Sequence, residues 1–515
     1  MATPSRLNFL LPSVVDLFFL ALLGGLSCSA LAMRLLGDAG IGWHIRNGEL
    51  MLRSHAVTRT DVFSSTMSGH AWYAWEWLYD IAIAAVHGWA GLNGVVFVTA
   101  LVIAATFALA LRWSLIRGTM LPLAVALTVL ALAASAIHWL TRPHVVSWLL
   151  VVIWFEVLDA WETGGPAKDR SLLWLPALML VWVNVHGGFV TGFILLAVYL
   201  VSGGIEYLAW ERQAAAARRL RWLGVVTLLS LLASLVNPYG YKLHVHVYEY
   251  LGNRWLMEHI EEFKSPNFHG AAEQCFVALV VIAIIALAAA REQPRVSQVM
   301  VLIFAVASGM YASRSLPVGG ILLAMVAGVM ATREINAAGK DARLAGWLRR
   351  WVLRGEAFAA RMEGLELRAR GHLWPALGVV LGLWICGHGG KLRARQIMNA
   401  QFDGARFPVQ AVDWVEANGV REPIFCPDRW GGYLIYRLYP RTKVVVDDRH
   451  DLYGEEFFKN YLKVERAEPG WEIVLDEERV HWVMVPRGSA LESALEESAG
   501  WKARYGDGVA EVFQR

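Results

Sequence analysis

The feature that most constrains this chain is the recurrence of apolar stretches long enough to cross a bilayer. A helix needs about 20 apolar residues to span the hydrocarbon core, and fewer where its neighbours thin the membrane. On that rule, candidate spans fall at 13–35, 92–111, 119–138, 144–160, 171–185, 188–209, 222–236, 274–290, 297–312, 315–332 and 374–389. That makes about eleven transmembrane helices. Of the 515 residues, 56% are hydrophobic and 18% charged. A soluble chain of this length cannot bury so much apolar surface, so the surplus faces membrane lipid. The net charge of +3 is too mild to imply nucleic acid as a partner.

Orientation follows from the Lys and Arg residues of the short loops. Placing the N-terminus inside puts Arg112 and Arg117, Lys168 and Arg170, Arg212, Arg218, Arg219 and Arg221, and Arg291 and Arg295 in inner loops. Segment 333–373 is then a basic cytoplasmic stretch, with Leu344, Trp347, Leu348, Trp351 and Leu353 among its arginines, suited to lie on an anionic leaflet. Loop 36–91 and everything after 390 fall outside. Lys391, Arg393 and Arg395 run against this assignment. Within the first outer loop, 76–89 is apolar but short and carries Glu76 and Asp80, which predicts a helix in the interface rather than a crossing. Arg6 followed by Phe9 to Leu26 has the outline of a signal peptide, but apolar character runs on to Leu36, as expected for an uncleaved first span.

From about 405 the composition changes. Short apolar runs at 423–427, 442–446 and 481–485 read as strands. Stretches after Pro408 and at 455–464, 471–477 and 490–497 read as helices, and 501–513 as a closing hairpin. This alternation predicts a soluble α/β domain over 405–515. Cys28, Cys275, Cys386 and Cys426 form no CxxC pair, so no zinc site or disulfide framework is implied.

Polar and ionisable residues gather at the outer ends of the spans. They are Asp38 and His44, Glu76 and Asp80, Arg142 and His144, Asn184 and His186, Asn237 and Lys242, and Arg314. Such groups are costly at that depth unless they face water or one another, so they predict one outward-facing cavity. Arg142, His144, Lys242 and Arg314 suit a phosphate leaving group. Asp38 is placed to act as general base, and Glu76 or Asp80 to orient an acceptor or hold a divalent metal. The transition state served in this way is oxocarbenium-like. Plainer roles compete with these. Asp38 can cap the helix that follows it, the arginines can snorkel to headgroups, and Glu76 and Asp80, at i and i+4, can solvate one helix face. Asp447, Asp448, Arg449 and His450 follow an expected strand, where α/β folds tend to bind ligands, and read at least equally as an ion-paired turn; Gly431-Gly432 lacks Walker spacing.

One resemblance adds to this reading. It rests on Gly42-Trp43-His44-Ile45-Arg46-Asn47-Gly48-Glu49 after Asp38, on Thr58 to Ser64 and on Trp75-Glu76-Trp77-Leu78, together with His186-Gly187-Gly188-Phe189 and Asn237-Pro238-Tyr239-Gly240. These strings resemble a bacterial membrane family similar to the GT-C glycosyltransferases, the superfamily of protein O-mannosyltransferases and the aminoarabinose transferase of lipid A. The likeness covers most of 10–330. The tail strings Asp428-Arg429-Trp430-Gly431-Gly432-Tyr433 and Asp447 to Gly454 resemble the same bacterial family. With the orientation above, the 405–515 domain is expected to be periplasmic. The resemblance implies a GT-C-like transmembrane domain over 1–390 in a bacterial inner membrane and a polyprenyl-phosphate-linked sugar donor. It also implies a glycan, lipid or protein acceptor, an acid in the first outer loop at Asp38, and inversion at the anomeric carbon. Many members carry two adjacent acids, whereas Ala39-Gly40 follow Asp38 here, so the second acid is expected from elsewhere in the loop. No cofactor beyond a possible divalent metal is implied. A carrier of lipid-linked or polar substrates and a structural membrane subunit are the competing classes. Charges at the outer rim rather than at mid-membrane favour the enzyme.

Overall fold

The computed structural model describes residues 10–209, 214–341, 343–366, 369 and 371–515. Arg6, Phe9 and Arg212 lie outside the described residues. The chain is mostly helical, with a small sheet domain at its C-terminal end. A helix stands at each of the eleven apolar stretches. Five ranges are long and apolar enough to cross a membrane by length and composition: Trp77–Ile116, His144–Trp182, Gly187–Ala209, Ala271–Ala288 and Ser313–Lys340. Val14–Cys28, Leu121–Ala134, Val296–Tyr311 and Leu373–Gly387 are shorter apolar helices.

Residues 76–89 fall in a helix of their own: within Trp77–Ile116 the backbone is non-helical at Gly91, where φ is 59°, so two helices meet there at a kink, a conformation glycine adopts without steric cost. One stretch differs from expectation. The stretch at 171–185 holds only the nine-residue α-helix Trp174–Trp182, continued backwards by a 3-10 turn. Helix Gly346–Glu366 within 333–373 turns Trp347, Trp351 and Phe358 outward, as an amphipathic surface helix does.

The tail domain is built on a four-stranded sheet. Ile424–Phe425 pairs in parallel with Trp482–Pro486, which runs antiparallel to Ala510–Gln514, and Lys502–Gly506 closes the edge. The run at 442–446 is not a strand of this sheet. Val444 makes single parallel bridges to Ile424 on one side and to Ser64 of the first long loop on the other. Its apolar character serves a seam rather than a sheet interior.

That seam joins loop 36–91 to the tail. Helix Gly40–Ser54 crosses helix Asp428–Leu438 so closely that a Cβ at Gly42 would lie 2.1 Å from the Gly432 carbonyl oxygen, and one at Gly432 would lie 2.3 Å from the Ala39 carbonyl oxygen. Only glycine fits this approach. Beside the crossing, Arg449 donates to Asp61 at 2.7 Å and to both oxygens of Asp447 at 2.7 and 2.6 Å. Tyr453 adds an O–H bond to Asp447 at 2.9 Å, and Trp72 lies 4.6 Å from the guanidinium. Arg449, Asp61 and Asp447 are buried. Burial opposes ionisation of Asp61, but the Arg449 guanidinium holds its carboxyl below the usual range.

Removing one member of such a cluster leaves the others charged and unpaired, at a cost of about 3–5 kcal/mol. Arg449→Met is therefore expected to lower the melting temperature and to expose the tail to protease. Wild-type melting and protease resistance would show that the seam is held by other contacts.

Candidate functional site

A cavity of about 1130 Å³ opens between the first long loop, the helix ends beside it and the tail domain. Asp38, His44, Glu76, Asp80, Arg142, His144, His186 and Arg314 all line it. Residues spread over 277 positions, from 38 to 314, thus meet in one place. Three candidates do not line it. Asn184 accepts from the Trp77 indole at 2.8 Å and donates to the Leu180 and Val236 carbonyls. Asn237 ties the turn from Ser234 to Gly240. Lys242 is exposed. The two asparagines shape the helix ends that frame the cavity, because a short amide satisfies free backbone groups there.

Asp38 joins both readings made from the sequence. Its Oδ1 accepts the Gly40 N–H at 2.7 Å, as a helix-capping carboxylate does, and also the Arg142 Nε–H at 3.0 Å. The other end of the Arg142 guanidinium pairs with Asp448 of the tail. The second Asp448 oxygen accepts from the Trp43 indole at 3.0 Å. Arg142 therefore lies between two carboxylates from opposite ends of the chain. Arg314 pairs with Glu262 at 3.3 Å. Enclosure works against ionising Glu262, but Arg314 and then Arg142 outweigh it and hold the carboxyl at about 2.

The second centre is built around Glu76. Asp80 accepts from Asn47 at 2.6 Å and from His44 Nδ1 at 2.6 Å. This leaves the His44 Nε2 lone pair aimed at Glu76 Oε2, 3.7 Å away. His186 Nδ1 accepts the Gly188 N–H at 3.0 Å and lies 2.8 Å from the Ser147 hydroxyl. Its Nε2–H therefore faces Glu76 Oε1, also at 3.7 Å. Each imidazole is fixed in its tautomer by the partner of its other nitrogen. The 3.7 Å gaps are longer than hydrogen bonds, and such contacts commonly tighten when substrate binds. Burial, reinforced by Asp80, pushes the Glu76 carboxyl well above the usual range. Burial, reinforced by Arg142, pushes His44 well down.

Three cavity groups come from places the sequence reading did not assign to the site: Glu262, Asp448 and the Asp428–His450 pair at 2.9 Å. Asp428, Asp448 and His450 stand in the tail strings quoted above. Nothing in their spacing shows that they meet Asp38.

The cavity does not present a metal-ligand set. Among the described residues, one cluster of metal-ligating side chains converges, Glu492, Glu496 and Glu511. It lies in the tail domain, where Arg487 pairs with Glu492 and Glu511. In the cavity the Asp38 carboxylate is already shared between a backbone N–H and Arg142. None of the three residues of that cluster lines the cavity.

Glu76 yields a prediction about stability. Because its carboxyl is held above the ordinary 4.5, the folded chain keeps a proton that the unfolded chain releases. Its contribution to stability is full below about pH 4.5 and is lost as pH rises through the raised value. Glu76→Gln has no proton to lose. Its melting temperature relative to wild type is therefore expected to rise between pH 5 and pH 8. A difference that stays constant across that range would contradict the assignment.

No family model and no curated protein sequence matches the chain, but solved structures do. The oligosaccharyltransferase of Archaeoglobus fulgidus in its apo form superposes with a TM-score of 0.58 at 12% identity, over 92% of this chain and 69% of that one. The same archaeal enzyme, AglB, in complex with an inhibitory peptide and a dolichol-phosphate gives 0.56 at 11%, over 96% and 73%. ArnT from Cupriavidus metallidurans bound to undecaprenyl phosphate gives 0.50 at 16%, over 97% and 96%. Both are GT-C glycosyltransferases, and the overlap takes in nearly the whole chain in each case. The chain shares the fold of these two proteins.

Proposed function

We propose that this protein transfers a sugar from a polyprenyl-phosphate donor to an acceptor at the periplasmic face of a bacterial inner membrane. The observation that carries the reading is the shared cavity of Asp38, Arg142, His144 and Arg314, in a fold whose relatives were solved with dolichol-phosphate and undecaprenyl phosphate. Arg142 and Arg314 supply positive charge for the phosphate, with His144 beside them. Asp38 is the general base, acting through Oδ2, because Oδ1 already takes Gly40 and Arg142. The acceptor hydroxyl gives its proton to Asp38 as its oxygen bonds to the anomeric carbon. The bond from that carbon to the phosphate oxygen breaks, and its electron pair leaves with the phosphate. Attack from the face opposite the phosphate inverts the centre. Glu76, His44, Asp80 and His186 form a wall rich in donors and acceptors for the hydroxyls of sugar or acceptor. The acceptor class is a glycan, lipid or protein exposed on that face.

The two sides of the cavity make different demands on charge. The phosphate side needs fixed cations, which Arg142 and Arg314 provide at any ordinary pH. The acceptor side needs a carboxylate kept ionised. The Asp38 carboxylate stands there, bonded to the Arg142 guanidinium.

Mass spectrometry of envelope glycans from a deletion strain identifies the missing sugar, and re-expression then tests the residues. Asp38→Asn is expected to reduce sugar incorporation by about 10²-fold or more while the protein still reaches the membrane. Undiminished incorporation by that variant would remove the proposal.

A further inference from the structure

Arg142 is already paired with two anions before any donor arrives. Asp38 takes its Nε–H and Asp448 takes the Nη2 end. Asp448 does not drift into this position by chance. Its neighbour Asp447 is fixed by Arg449 and Tyr453, and its own second oxygen is held by the Trp43 indole. Room for the meeting is made by Gly40. A Cβ there would lie 2.1 Å from Arg142 Nη2 and 2.6 Å from Asp448 Oδ2. Both Asp38 and Asp448 face the cavity. Carboxylate and phosphate are alternative partners for the same guanidinium fork. A cation shared by two carboxylates attracts a third anion weakly.

We propose that Asp448, delivered by the tail domain, is a built-in competitor for the donor's phosphate at Arg142. It holds the guanidinium in register while the cavity is empty, yields to the phosphate when donor binds, and returns to displace the spent polyprenyl phosphate after transfer. Asp448 is thus a positioning residue rather than a catalytic one. The inference rests on the reading above that Arg142 receives the phosphate. It adds that the tail domain sets how long the carrier stays.

The test measures binding of undecaprenyl phosphate to the purified full-length protein in lipid nanodiscs, beside turnover in the sugar-incorporation assay. Asp448→Asn keeps the shape and removes the competing charge. It is expected to bind the carrier about 3- to 10-fold more tightly and to turn over more slowly, because product is retained. A residue with only a structural role would weaken binding when replaced, so unchanged or weaker binding by Asp448→Asn overturns the proposal. If that variant fails to fold, Trp43→Phe frees Asp448 from its second anchor and is expected to tighten binding by a smaller factor. No tightening there is likewise fatal. Arg142→Gln separates the two layers. If it leaves carrier binding intact, the phosphate reading of Arg142 falls. If it weakens binding while Asp448→Asn fails to tighten it, only the competitor role falls.

Discussion

The guanidinium of Arg449, closed between Asp61 and Asp447, is the contact on which the joining of the first long loop to the tail domain depends. Taking three charges out of water costs several kcal/mol per ion, and the cost is recovered only where geometry and hydrogen bonding are nearly complete. Here they are. Asp447 takes two bonds from the Arg449 guanidinium, one from the Arg449 backbone N–H and a fourth from Tyr453, while Asp61 takes Arg449, the Ser64 hydroxyl and two backbone N–H groups. Such a cluster tolerates one docking arrangement. It fixes the tail domain on the first long loop, and hence both on the same side of the membrane.

The cavity is a consequence of that docking. Asp448 follows the buried anchor by one residue and so reaches Arg142. Helix Asp428–Leu438 crosses helix Gly40–Ser54 at paired glycines and so brings Asp428 and His450 to the rim. The two clusters differ in a way that suits their tasks. Around Arg449 every charge is satisfied and water is excluded, which gives rigidity. Around Arg142 and Glu76 the side chains keep open positions. Asp38 is 29% exposed and Asp448 13%, and Glu76 stands 3.7 Å from both imidazoles. Open positions next to a fixed frame are what a site needs in order to exchange partners during a reaction.

Much of this was legible in the sequence, and the rest has physical reasons for being hidden. Apolar length located the helices because backbone groups in lipid must bond within their own segment. The cost of charge at the membrane edge located Asp38, Glu76, Arg142, His144, His186 and Arg314, since such groups collect where water reaches them. Lys242 satisfies the same rule by facing solvent alone, and loop position cannot separate the two cases. Asn184 and Asn237 occupy the same loops because helix ends need amides. The strand expected at 442–446 has strand-like residues, but it makes only single bridges, Val444 to Ile424 on one side and to Ser64 of the first loop, 380 residues away, on the other. Asp448 was hidden for the same reason. A turn rich in Asp and Arg reads as self-paired until the fold sets it against another arginine.

The central claim is that a lipid-linked phosphate is received where Asp38 and Arg142 meet. The most direct measurement is an experimental structure of the full-length protein with bound undecaprenyl phosphate. The account predicts phosphate density within hydrogen-bonding distance of Arg142, with Asp38 facing the same space and the isoprenoid chain leaving between the helices into the membrane. Phosphate bound at another face of the molecule, with Arg142 still closed between Asp38 and Asp448, would contradict it.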